Sequence, residues 1–378
     1  MNKKTILFIS TNTQWGGSEI LWTRSANAFQ TAGYDVYATS MYDFEKIKDF
    51  IQREEFFFDL TKRYKYPGLI SKLIQKIMLG KYIPKDRLME WMKSLHPSLV
   101  VISQGNNVIG HEFMQLCKEH AIPFVTLTHL VPERIWPSFD ENLINTLRSL
   151  YKSSRKNYFV STHNLLLHEK IMGDHFHNAV ITYNPPAASA TIDPGFAPLD
   201  NGTYKIAMVG RIEFFHKGQD LLVDIAKQKK WKSRNVIFSI FGDGPHLQLL
   251  TRLIEKNNIT NIVIHKHADD ISLVWKEHHI LLMTSRMEGQ SIALIEAMHF
   301  KRAAIVTRVG GVDELIEDEK SGFIADAATV QSIDDALERA WGRREEWQQM
   351  GVVAKKNIIE KHPSDPVKYF NAQLQEFL

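Results

Sequence analysis

The sequence predicts an α/β fold in two domains, each built on a mostly parallel sheet. Three observations carry this. Short, continuous apolar runs alternate with helix-length segments from Thr5 to Val160, the pattern of strands buried on both faces between helices. The stretch NPPAASATIDPGFAPLDNG from Asn184 breaks the alternation with Pro, Ala, Gly and Asp, as a linker does. The alternation then restarts at Tyr204, and 378 residues with 44% hydrophobic content suffice for two packed cores.

In chain order, TILFIS (Thr5 to Ser10) is a buried strand that leads through TNTQWGGSE into a helix from about Ser18 to Ala32, ended by Gly33. A strand, a Gly-rich turn and a helix form an anion-binding unit, in which Gly16 and Gly17 allow close approach and Glu19 stands in the first helical turn. The dinucleotide fingerprint G-x-G-x-x-G is absent there, which disfavours a dehydrogenase. Further strands are expected at Tyr34 to Thr39, Phe56 to Leu60, Leu99 to Ser103, Phe124 to Thr128 and Asn157 to Val160. Ligands gather at the carboxyl ends of such strands, where Gln104 and His129 stand.

Between them, Lys62 to Arg87 carries eight basic residues against Asp86 alone, interleaved with Tyr, Leu, Ile and Met. A helix with a solvated basic face is the plain reading; an anionic membrane surface is the candidate partner, and vesicle flotation at low salt tests it. The net charge of +3 argues against a nucleic-acid partner. Cys117, the single cysteine, excludes a disulfide framework, and neither a signal-peptide core nor an apolar run of about 18 residues is found. A cytoplasmic location is the expectation. His163, His168, His175 and His177 lie close in sequence without helical i, i+4 spacing, so no metal site is assigned to them.

The second domain opens with YKIAMVG (Tyr204 to Gly210), which delivers Arg211 at a strand end; Lys217 and Gly218 precede the helix GQDLLVDIAKQ. Two cations at one spot over a sheet suit a diphosphate. The strand Asn235 to Phe241 ends in Gly242-Asp243-Gly244-Pro245. The stretch TSRMEGQSIALIEAM then holds Glu288 and Glu296 with seven residues between them. With a helix starting near Ser291, Glu288 lies ahead of its N-terminus and Glu296 about 7 Å down its axis, at roughly 1.5 Å per residue. Between them lie free N–H groups and the positive dipole end, a seat for an anion. A carboxylate on each side of a phosphate seat suits a nucleotide-sugar. Gly310 and Gly311 open another helix through Glu314, helical patterns fill Val330 to Glu360, and a last helix runs from about Pro366 to Phe377.

SRMEGQSIALIEAM followed by RVGGVDEL resembles the donor-binding segment of retaining glycosyltransferases of family four, which have the GT-B fold of two Rossmann-like domains facing a cleft. GGSE at Gly16 to Glu19 is similar to that family's GGxE loop, GR…KG to its diphosphate clamp, GDGP to its nucleotide turn and ITYNPP to its interdomain connection. The resemblance implies domains over 1–186 and 187–360, and a final helix over 361–378 that crosses back to the first. It implies transfer of a sugar from a nucleotide-diphosphate-sugar to a glycan or lipid-linked acceptor, as in cell-surface glycan or polysaccharide synthesis, with no cofactor and no metal. Arg211 and Lys217 would stabilise the leaving diphosphate, Glu288 would hold the donor sugar, Glu296 the ribose, and His129 would orient the sugar. Gly16, Gly17, Gly210, Gly242, Gly244, Gly289, Gln290, Ser291 and Ile292 would line the donor site, with Glu19 and Gln104 on the acceptor side. Lys266 stands where the family has a Gly, which leaves a backbone contact near His267 for the base. A nucleotide-sugar epimerase or a non-catalytic relative on the same fold stays open as the alternative.

Overall fold

Residues 4–12, 15–40, 57–59, 85–133, 140–186 and 194–378 are described in the computed structural model. The Lys62 to Arg87 stretch lies outside them, apart from the first turn of one helix. Their contacts divide the chain into two units, Met1–Asn184 with Asp365–Leu378, and Pro185–Ser364.

The first unit runs β1 (Thr5–Ser10), α1 (Ser18–Thr31), β2 (Asp35–Ser40), β3 (Phe57–Asp59), α2 (Lys85–Leu95), β4 (Leu99–Gln104), α3 (His111–Glu119), β5 (Phe124–Thr128), α4 (Glu141–Ser153), β6 (Asn157–Phe159), α5 (Thr162–Met172) and β7 (Ala179–Ile181). The strands are parallel, in the order β3-β2-β1-β4-β5-β6-β7. TILFIS and LVVISQ carry the unbroken apolar runs Ile6 to Ile9 and Leu99 to Ile102 because a parallel sheet covered on both faces buries all of those positions. The period of two decides which core each residue enters. Ile6 and Phe8 join Leu99, Val101 and α1 residues Trp22 and Phe29 on one face; Leu7 and Ile9 join Val100, Ile102, Phe113 and Leu147 on the other.

The C-terminal helix Pro366–Gln375 packs in this unit. Asp365 caps it by accepting from Lys368 N at 2.9 Å, and Pro366 occupies its first turn, where no N–H is missed. Phe370 and Leu374 are fully buried in the α1 face of the core, Phe370 edge-on to Tyr158 at 4.9 Å.

The second unit runs β8 (Tyr204–Val209), α6 (Phe214–Lys217), α7 (Gln219–Ala226), α8 (Lys229–Ser233), β9 (Val236–Phe241), α9 (Leu247–Lys256), β10 (Ile262–His265), α10 (Ile271–Glu277), β11 (Ile280–Met283), α11 (Ile292–His299), β12 (Ala303–Thr307), α12 (Val312–Leu315), β13 (Gly322–Ala325), α13 (Val330–Gly342) and α14 (Trp347–Lys361). This sheet is also parallel, in the order β10-β9-β8-β11-β12-β13. Its residues alternate between two cores, Ile206, Met208, Ile280 and Leu282 in one and Ala207, Leu281 and Met283 in the other.

Each sheet reverses its strand order at one place, between β1 and β4 in the first unit and between β8 and β11 in the second. At such a switch point the loops leaving two neighbouring strands diverge to opposite faces and open a crevice at their carboxyl ends. Among the described residues, no helix is long and apolar enough to cross a membrane.

Candidate active site

In the second unit the switch point joins the loop after β8, which carries Arg211 and Lys217, to the loop after β11, which carries Glu288. Lys217 Nζ donates to Glu288 Oε1 at 2.6 Å, and Ser285 Oγ donates to the same oxygen at 2.8 Å. The pair is partly sheltered, the side chains 29% and 10% exposed, so water screens it less than a surface ion pair. Glu288 Oε2 accepts no hydrogen bond among the described residues, and two of the three Lys217 N–H donors stay open to a ligand. Arg211 lies exposed at the start of the same loop.

Backbone geometry explains the glycines. Gly210 (φ 149°) and Gly242 (φ 155°) end β8 and β9 in conformations that L-residues rarely adopt. The two loops then stack backbone on backbone: Ile212 N donates to Asp243 O at 2.8 Å, and a Cβ on Gly244 would sit 2.3 Å from Ile212 O. Gly242 and Gly244 are thus needed for loop packing, whatever they meet in a ligand. Gly310 (φ 57°) lies against the backbone carbonyls of Glu288 and Gly289, and Gly311 N donates to Gly289 O at 2.8 Å, so the Gly-Gly turn supports the Glu288 loop from behind.

Ser291 takes the cap position of α11 with extended backbone, yet its side chain makes no capping bond. Glu296 is buried on α11, with Ile292 at the start of that helix, and Gln290 Nε2 lies 3.2 Å from His362 Nε2. His267 is exposed in the loop after β10, beyond His265, whose ring stacks on Phe241 at 4.4 Å. A groove of about 560 Å³ borders that loop, lined by residues such as Phe241, His265, Leu273 and His278. It is larger than the space beside Lys217 and Glu288, but it does not contain that pair, whose charged chemistry makes the switch point the candidate site. Among the described residues, no three His, Cys, Asp or Glu side chains gather where they could hold a metal ion.

Several supports here escape sequence reading. Glu213 accepts from Phe215 N and His216 N, each at 3.0 Å, which caps α6; Gln219 Nε2 donates to Arg211 O at 2.8 Å. Ser285 carried a usable signal, a hydroxyl three residues ahead of Glu288. Glu213 and Gln219 carried none, since an acid and an amide on a charged loop are unremarkable by type.

In the first unit the side chains of Glu19, Gln104 and His129 meet neighbouring protein groups more than they meet solvent. Glu19 is fully buried; Asn12 Nδ2 and Trp22 Nε1 donate to its carboxylate, the latter at 2.8 Å, and burial pushes its pKa up against those bonds. Gln104 is also fully buried, its Oε1 accepting from Tyr151 Oη at 3.0 Å and Thr128 Oγ1 at 3.2 Å while Nε2 donates to Ile109 O at 3.0 Å. Both brace loops at the β1–β4 switch point rather than face outward, because a polar group enclosed at a strand end must satisfy itself on the adjoining loops. Gly16 and Gly17 need no positive φ, and a Cβ on Gly16 would meet nothing within 4 Å. His129, 7% exposed, lies 3.2 Å through Nε2 from Ser103 Oγ, and its Nδ1 has no partner among the described residues.

Burial lowers the pKa of His129 and of His168 to about 3, and those of His278 and His362 to about 4, from an ordinary 6.5. A depressed folded pKa means that the unfolded chain binds more protons below 6.5. The stability these groups confer is therefore complete above pH 6.5 and is lost as pH falls toward 3 to 4. Each histidine is expected to cost about 2 kcal/mol by pH 5, at roughly 1.4 kcal/mol per pH unit, in a window where most carboxylates are still ionised. Thermal unfolding followed from pH 7.5 to 5 checks this; an unmoved midpoint would show that the rings protonate in place.

Residues 191–357 match the family model "Glycosyl transferases group 1". An uncharacterized glycosyltransferase of Haemophilus influenzae is 24% identical over 346 residues, covering 89% of this chain and 90% of that protein. The poly(ribitol-phosphate) alpha-N-acetylglucosaminyltransferase of Staphylococcus aureus is 26% identical over 150 residues, 39% of this chain and 30% of its own length. The matches to this and the next two curated relatives span about a third of those proteins. Among solved structures, Anabaena HepE in complex with UDP superposes with a TM-score of 0.73 at 14% identity, covering 98% of each chain. The pneumococcal O-GlcNAc transferase GtfA in complex with UDP and GlcNAc gives 0.73 at 13% identity, over 100% of this chain and 99% of that one. The chain therefore has the GT-B fold, and its second unit carries the match to glycosyl transferases group 1.

Proposed function

We propose that the chain is a retaining glycosyltransferase that moves a sugar from a nucleotide-diphosphate-sugar to a hydroxyl of a glycan or lipid-linked acceptor. The observation that carries this is the Lys217–Glu288 pair at the β8–β11 switch point, anchored on one carboxylate oxygen and open on the other. A bare carboxylate beside a diphosphate would repel it. Lys217 between the two neutralises that repulsion, so a phosphate and a sugar hydroxyl sit side by side, the phosphate on Lys217 and the hydroxyl on Glu288 Oε2. Arg211, at the start of the same loop, adds a second cation, and a charge-assisted hydrogen bond contributes about 1.5 to 3 kcal/mol.

In the step we propose, the bond between the anomeric carbon and the diphosphate oxygen breaks, and the acceptor hydroxyl bonds to that carbon on the same face. Its proton passes to the departing phosphate. Negative charge grows on the diphosphate as the bond breaks, and Lys217 and Arg211 compensate it. Glu296 holds the ribose hydroxyls, and His129 is the residue assigned to orient the donor sugar. A neutral His129 offers a hydrogen bond without adding charge.

A thermal-shift screen against UDP, GDP, ADP and CMP and their sugar conjugates tests the reading, because a ligand at 100 times its Kd adds about 2.7 kcal/mol of stability. UDP is the first probe, since both solved relatives named above hold it. Stabilisation by one nucleoside diphosphate, with sugar transfer that needs an acceptor, is the expected result. Product formed without any acceptor would point to an epimerase, and no shift with any probe would overturn the reading. Glu296→Ala is expected to weaken the bound nucleotide about tenfold through the lost hydroxyl contacts, read by calorimetry. Unchanged affinity would remove Glu296 from the ribose.

A further inference from the structure

Lys217 ends α6, a four-residue turn that buries none of its own side chains; Phe215, at its middle, is 49% exposed. A single helical turn does not hold itself, and here Phe214 alone, partly buried against the core, ties it by apolar contact. Polar ties therefore decide where Lys217 stands.

Two of those ties come from one residue that the sequence does not mark, beside the cap that Glu213 gives the turn through Phe215 N and His216 N. The Arg286 guanidinium forms a two-pronged contact with Asp220, Nη1 to Oδ1 and Nη2 to Oδ2 each at 2.7 Å, and Nη1 also donates to Phe214 O at 2.5 Å. The Arg286 backbone N–H donates to His216 O at 2.6 Å, and Met287 N donates to the same oxygen at 3.3 Å. Arg286 thus grips the turn at its first and third residues while locked to α7, the helix that follows it. Thr284 Oγ1 adds bonds to Lys217 O at 3.0 Å and Gly218 O at 2.7 Å. Within the same five residues, Thr284 to Glu288, the loop after β11 supplies both the carboxylate that meets Lys217 and the grip that presents it.

We infer that Arg286, fixed by Asp220, is a positioning residue that sets Lys217 against Glu288 and the diphosphate. It acts through the turn and not by touching the ligand. The inference rests on the proposed nucleotide-sugar site. Lysine cannot replace Arg286, because a single ammonium cannot reach both Asp220 oxygens and Phe214 O in one plane.

The test is calorimetric titration of the full chain with UDP, GDP and ADP, followed by the tightest of these and its matching nucleoside on the variants. Arg286→Ala is expected to weaken the nucleoside diphosphate about tenfold while the nucleoside changes less than twofold, since only the phosphates meet Lys217. Asp220→Asn, which keeps size and shape, is expected to give a smaller loss of the same selective kind and serves if Arg286→Ala does not fold. Arg286→Lys should recover less than half of the loss. In the double variant Arg286→Ala with Asp220→Asn, the loss should match that of Arg286→Ala alone, because both act through one contact. Equal diphosphate affinity in wild type and Arg286→Ala overturns the inference and leaves the site reading intact. Parallel loss of nucleoside and diphosphate overturns it in favour of a general structural role. If no nucleoside diphosphate binds the wild type, the site reading falls and the inference with it.

Discussion

Lys217→Ala lowers sugar transfer by about 10²- to 10³-fold while the thermal midpoint hardly moves. This is the expected result, and the two halves have separate causes. On the proposed reading the removed ammonium is a preorganised charge aimed at the oxygen that becomes negative, and loss of one such donor typically costs about 3 to 4 kcal/mol of transition-state stabilisation. In the unliganded protein the same ammonium only pairs with Glu288, and because Lys217 is 29% exposed the pair contributes about 1 kcal/mol or less to folding. Ser285 still holds Glu288 Oε1 in the variant, so the carboxylate is not left without a donor. Lys217→Arg restores charge but not shape, and should recover only part of the rate. Steady-state kinetics with the donor found by thermal shift checks this; equal turnover in wild type and Lys217→Ala would remove Lys217 from the leaving-group site.

Legibility of the strands did not follow their length: the three-residue strand Asn157–Phe159 was read, and the five-residue strand Ala303–Thr307 was not. Thr5 to Ser10 and Phe124 to Thr128 have the same bounds in the sequence reading and in the structure, because short runs rich in Ile, Leu, Val, Phe and Thr between turn signals leave few alternatives. Ala179–Ile181, Ile280–Met283, Ala303–Thr307 and Gly322–Ala325 went unread. Three to five apolar residues, several of them Ala or Leu, look the same in a helix, and only pairing with neighbouring strands makes them strands. The parallel α/β class survived these omissions, since the alternation elsewhere fixed it.

The candidate site divides the same way. Lys217 and Glu288 were singled out by type and spacing, but their direct pairing was not, because 71 residues separate them and only the β8–β11 register brings them together. Arg286 and Asp220, 66 residues apart, are hidden for the same reason. Glu19 and Gln104 show the opposite case. Their chemistry suits a ligand, but Trp22, Asn12, Tyr151 and Thr128 already occupy their polar atoms. Residue type reports what a side chain can bind; burial decides whether anything outside the protein reaches it.

Gly242→Ala should damage folding severely. A Cβ there would lie 2.1 Å from Gly210 O and 3.0 Å from Gly210 C, backbone atoms that cannot rotate away, and φ of 155° is itself unfavourable for alanine. Both penalties fall on the junction that holds the β8 and β9 loops together, so relief of the clash would pull Gly210 and Arg211 from their places. A cost of about 4 kcal/mol or more is expected, a large share of a typical 5 to 15 kcal/mol folding stability. At roughly 2 to 4 °C per kcal/mol for a unit of this size, the midpoint should fall by about 8 °C at least. Gly16→Ala provides the contrast, since its Cβ would enter open space and its midpoint should stay near wild type. If Gly16→Ala keeps its midpoint but loses transfer, the space beside Gly16 is reserved for a ligand; if Gly242→Ala keeps its midpoint, the Gly210–Gly242 junction is not rigid, and the placement of Arg211 must rest on the Gln219 bond to its carbonyl.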